Sequence, residues 1–117
     1  MEKTFKSLTD RENFLAKTVI DIAFSIHKAL GPGLLESVYE KCFCYELEKH
    51  NITYLRHQKV AIQYQELLIL ELKAQENYHP VWDVQLLSYL KLTNKRIGYL
   101  INFDISLMKD GFKRLIF

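Results

Sequence analysis

Four polar side chains stand inside otherwise apolar patterns: Glu36, Glu71, Lys73 and Gln85. The stretch ELLILELKA, residues 66–74, reads as a buried strand whose apolar run is broken by Glu71 and Lys73. Strand side chains alternate, so these two point to the same side of a sheet. A charge is costly to bury unless it is paired or coordinated. Carboxylates on neighbouring elements can hold a hard divalent cation such as Mg²⁺ or Mn²⁺ through oxygen ligands, here Glu71 and Glu36. A lysine beside them can hold and polarise an attacking water or stabilise charge on a phosphoryl group. Gln85, within VWDVQLLSYL, could orient that water or the phosphate. Each residue also has a plainer reading. Glu36 in the first turn of a helix suits the helix dipole. Glu71 and Lys73 could be a solvated pair at a sheet edge or on an open sheet face, and Gln85 a solvent-facing helix residue.

The elements that must carry these residues follow from the periodicity. Thr9 and Glu12 in TDRE form a capping-box pattern that starts a helix near Asp10. Apolar residues at Leu15, Val19, Ile22 and Ile26 continue it until GPG at 31–33. A second helix is predicted from about Leu34 to Lys49, with an apolar face of Leu35, Val38, Tyr39, Cys42, Phe43 and Leu47. The period then changes to alternation at 60–64 (VAIQY), and LLILELKA follows as the next strand. PVWDVQLLSYLKLT, residues 80–93, returns to helical spacing with Pro80 in a first-turn position. RIGYLINF reads as a buried strand, DISLMKDG as a turn or short helix, and FKRLIF as a last strand. The predicted order is α-α-β-β-α-β-β. The expected fold class is α/β, one small mixed sheet flanked by helices, in a single domain spanning 1–117.

Composition narrows the function classes. With 49% hydrophobic and 26% charged residues the chain is ordinary for a soluble globular protein. A net charge of +2 permits nucleic-acid binding without arguing for it. No apolar run is long enough for a membrane span, and the N-terminus lacks the apolar core of a signal peptide, so a cytoplasmic location is the default. Cys42 and Cys44 lie at i,i+2 on a helix, where side chains diverge, and are expected as free thiols. His27, His50, His57 and His79 show no metal-ligand spacing, and His27 reads as a hydrogen-bonded structural residue.

The blocks HKALGPGLLESVYEKCFCYELEKHNI, LILELKA, VQLLSYLKLTNKRIGYLINF and LMKDGFKRLIF resemble the GxxExxY protein family over residues 10–117. Its name-giving motif stands here as Gly33, Glu36 and Tyr39. That family is grouped with the PD-(D/E)xK nuclease-like superfamily. The resemblance implies a restriction-endonuclease-like core and Mg²⁺-dependent cleavage of nucleic-acid phosphodiesters. It implies Glu36 as the helix-borne acid, Glu71 as the metal-binding acid of the E-x-K half-motif, Lys73 as its lysine and Gln85 as the glutamine of the following helix. The partners it admits are nucleic acid, DNA ahead of RNA, and a second copy of the chain in a homodimer. The alternatives are a catalytically degenerate nuclease fold that binds nucleic acid or a protein, and a plain oligomerising domain of no intrinsic activity.

The sequence departs from the family at one place. Between VAIQY and LLILELK the family usually carries a further strand of the type GYRLDLLVE, whose aspartate is the first metal ligand. Here only Gln65 and Glu66 intervene, and no Asp occurs between residues 22 and 82. Asp83 is a weak substitute, and Trp82 stands where the family often has histidine. A two-residue Gln65–Glu66 hairpin loop would also be strained, because such loops favour Gly or Asn. The join therefore predicts either an interrupted chain or a true deletion that sets Val60–Tyr64 antiparallel to Leu67–Lys73. A true deletion favours the non-catalytic alternative. A bare Glu71–Lys73 salt bridge without an acidic partner would favour it further.

Overall fold

Thr9 opens the first helix as its capping box predicts: its hydroxyl accepts from the Glu12 N–H, and the Glu12 carboxylate accepts from the Thr9 N–H. In the computed structural model, which describes residues 8–56, 62–64 and 68–116, this helix, α1, spans Asp10–Leu30. Glu12 is buried and also pairs with Arg96 at 3.2 Å, so the cap is tied to the far end of the chain. Gly31 and Gly33, both at positive φ, turn the chain into α2, Glu36–Lys49. Helix α2 begins two residues later than the spacing predicts, with Leu35 at the N-cap.

Among the described residues the sheet holds five strands in the order β1 (Tyr54–Arg56), β2 (Ile62–Tyr64), β3 (Leu68–Lys73), β4 (Ile97–Asn102) and β5 (Phe112–Ile116). The mixed sheet flanked by helices is the expected α/β architecture, but β1 adds a strand to the predicted order. Three residues are too few to show an alternating pattern in sequence. Strands β3 and β4 run parallel, joined over the sheet by α3, Val81–Thr93. The other neighbouring strands are antiparallel. Tyr64 stands opposite Leu68 and Ile62 opposite Leu70, the pairing expected of a true deletion. Gln65 and Glu66 themselves, and the Val60–Ala61 end of the predicted strand, lie outside the described residues.

Alternation along β3 divides the core. Leu68, Leu70 and Leu72 pack with α1, α2 and Phe103, whereas Ile69 packs with Trp82, Leu86 and Leu90 of α3 and with Leu100. Gly98 lets α3 sit close, since a Cβ there would lie 2.9 Å from Leu86 Cδ1. DISLMKDG forms a short 3-10 helix at Met108–Gly111. His27 meets the Ile105 carbonyl at 2.7 Å and is structural, as expected. Neither cysteine is in a disulfide. Among the described residues, no helix is long and apolar enough to cross a membrane.

Candidate active site

Strand β3 is interior to the sheet, so Glu71 and Lys73 do not lie on an edge. They share the face of Ile69, toward α3. Lys73 is half-buried, its ammonium 5.3 Å from the centre of the Trp82 ring, which is itself 4% exposed. Glu71 is fully buried, and neither of its carboxylate oxygens has a hydrogen-bond partner. Burial therefore overturns the plainer reading of a solvated pair. It pushes the Glu71 carboxyl up to about 7, against the lowering pull of Lys73 and with a further push from Glu36.

Glu36 arrives from the opposite layer. The first turn of α2 carries it to the end of β3, where the Ala74 backbone draws its carboxyl slightly down. Its carboxyl is also raised, chiefly by partial burial, with Lys73 lowering it and Glu40 raising it. Tyr39 fixes this approach. Its hydroxyl donates to the Gly31 carbonyl at 2.6 Å and accepts from the Leu34 N–H at 3.1 Å, and its ring is fully buried. The spacing of Gly33, Glu36 and Tyr39 thus has a local physical meaning. The glycine permits the turn, the tyrosine clamps it, and the glutamate is presented between them.

Glu36, Glu71 and Lys73 are accordingly within electrostatic reach of one another, with Glu71 buried and Glu36 exposed. Gln85 is not joined to them by any hydrogen bond. It is exposed on α3, one turn beyond Trp82. Asp83, the substitute acid, is turned away into a network with the Tyr78 hydroxyl and the Lys113 ammonium on β5. Sequence reasoning gave Lys113 no such role, since a pair 30 residues apart leaves no local signal.

The PD-(D/E)XK nuclease superfamily pattern matches residues 13–69 and 65–115 of this chain. The chain belongs to the PD-(D/E)XK nuclease superfamily. No curated protein and no solved structure gives a significant match. The two matched segments overlap at residues 65–69. The overlap covers Gln65 and Glu66, the join at which the family resemblance places an aspartate-bearing strand.

PD-(D/E)XK nucleases typically use divalent metals. The orphaned oxygens of Glu71 are hard donors without another use, and Glu36 supplies a second carboxylate. Mg²⁺ commonly takes only one or two protein carboxylates and completes its shell with water and phosphate oxygens. Two carboxylates is the number that Glu71 and Glu36 offer. Among the described residues, no cluster of three metal-ligating acids, histidines or cysteines forms. The described part of β2, Ile62–Tyr64, carries no acid.

Proposed function

We propose that this chain is a GxxExxY-type nuclease that hydrolyses nucleic-acid phosphodiesters with the help of Mg²⁺ or Mn²⁺. The observation that carries the reading is Glu71. A fully buried carboxylate with both oxygens unsatisfied is costly in an apolar core, and its neighbours are an ammonium and a second carboxylate rather than a closed salt bridge. Glu71 and Glu36 would hold the metal, which when bound polarises a phosphoryl oxygen and acidifies water. Lys73 holds positive charge at the place where the phosphate or attacking water must lie, and the Trp82 face keeps its ammonium from swinging away. Gln85, exposed one turn beyond Trp82, is the residue that could orient the other side of the substrate. DNA is favoured as substrate over RNA.

The test is plasmid nicking during a Mg²⁺ or Mn²⁺ titration, with Glu71→Ala as control. Metal-dependent nicking lost in the control supports the reading, and its absence from both proteins defeats it.

A second reading is favoured by β2, which pairs directly with β3 and brings no acid over its described length. In it the domain is a degenerate nuclease fold that binds nucleic acid or a protein. Metal-independent binding of duplex without cleavage would support that reading.

A further inference from the structure

Beside its core residues Tyr39, Phe43 and Leu47, helix α2 carries a second apolar stripe that begins at its N-cap residue Leu35. Leu35 is 74% exposed, Val38 37% and Tyr45 63%, and Cys42 is half-buried between them. These four stand at spacings of three, four and three, the a/d pattern of a helix seam. Beside them, between α1 and α2, runs an apolar groove of about 320 Å³ whose floor is Ile26 and Cys42. Lys41 and Glu46 of α2 also line it. In the same heptad frame Lys41 and Glu46 occupy the g and e positions, which pair across the seams of parallel helices.

We infer that this face binds a second copy of the chain, the two α2 helices packing in parallel about a two-fold axis with α1 of each copy outside them. The charge arrangement selects this occupant. A single cation and a single anion on either side of one stripe are complementary to their own two-fold image, so Lys41 of each copy meets Glu46 of the other. An anionic strand of nucleic acid would meet Glu46 with the wrong sign. An apolar centre with a charged rim is also the usual anatomy of such interfaces, and Leu35 and Tyr45 would be its anchors.

The test is sedimentation equilibrium of the full chain between about 1 µM and 1 mM. The wild-type protein should dimerise. Lys41→Glu and Glu46→Lys should each weaken the dimer about tenfold or more, since each sets like charges opposite each other twice. The double charge swap should restore it, an outcome that a folding defect would not produce. Leu35→Glu should give a monomer with an unchanged melting transition, because the side chain is exposed in the single chain. A monomer at every concentration, or a dimer indifferent to Leu35→Glu and to the charge swaps, would overturn the inference.

Discussion

The rings of Tyr39 and Phe103 lie flat against each other, with centroids 4.5 Å apart and planes within 5°. Phe103 is the residue that follows β4, and its N–H donates to the Lys73 carbonyl at 2.9 Å. The stack therefore ties the loop that presents Glu36 to the strand that presents Glu71 and Lys73. Removing only the hydroxyl, as in Tyr39→Phe, keeps the stack and frees the Gly31 carbonyl and the Leu34 N–H. The expected cost is about 1–3 kcal/mol in urea unfolding. Metal affinity should fall as well, because Glu36 loses its clamp. A variant that keeps both properties would show that the loop holds itself.

Glu71 makes stability depend on pH. Its carboxyl is raised from 4.5 to about 7, so over that interval the folded chain keeps a proton that the unfolded chain has released. Stability contributed by the protonated form is present at low pH and is lost as pH rises through about 7. The full effect is roughly 3 kcal/mol. Thermal melts should show Glu71→Gln gaining stability over the wild type at pH 8 and little at pH 4. Mg²⁺ or Mn²⁺ should stabilise the wild type most on the alkaline side, where the carboxylate is ionised.

Lys73→Ala should abolish any cleavage and leave the fold intact, because the lysine is half-buried and its partners are charges and a ring face rather than packed side chains. It should also raise the Glu71 carboxyl further, since Lys73 is the influence that lowers it. Carbon-detected titration of Glu71 reads that shift independently of activity. A collapsed melting transition in this variant would mark the lysine as structural.

Any nucleic-acid affinity should be modest and should fall steeply with salt, because phosphate contacts release counterions. The structure divides the basic residues available. Arg96 is engaged by Glu12 and Lys113 by Asp83, whereas Arg114 is exposed. Fluorescence anisotropy should therefore show Arg114→Ala weakening duplex binding and lowering the salt slope. Arg96→Ala should instead lower the melting temperature by leaving the buried Glu12 carboxylate without its cation. Binding that ignores salt would point to a different kind of partner.

Long periodic segments were readable from the residues alone. Thr9 and Glu12 marked the start of α1, GPG marked its end, and the runs at 68–73 and 97–102 announced buried strands. Tyr54–Arg56 was not legible, because its place in the sheet comes from pairing with β2 rather than from any pattern of its own. The burial of Glu71 was also hidden. A charge in an apolar strand does not say whether its face is covered, and here the cover is α3, seated by Trp82 and by the missing side chain of Gly98. The GxxExxY motif placed Glu36 near the E-x-K strand only through resemblance. The clamp that brings it there, Tyr39 to Gly31 and Leu34, is a tertiary fact.

Among the described residues, strand β3 is paired with β4 over six residues, Leu68 to Lys73, and with β2 over three. Its register is therefore held from the C-terminal side, through the β3–α3–β4 unit, and scarcely depends on what precedes it. Chain lost ahead of Leu68 removes ligands without unseating Glu71, Lys73 or the helix that covers them. In a domain wired this way, chemistry is more fragile than architecture: a lineage can lose an aspartate, keep a well-packed protein, and so retain the remaining acid and lysine as material for a different use.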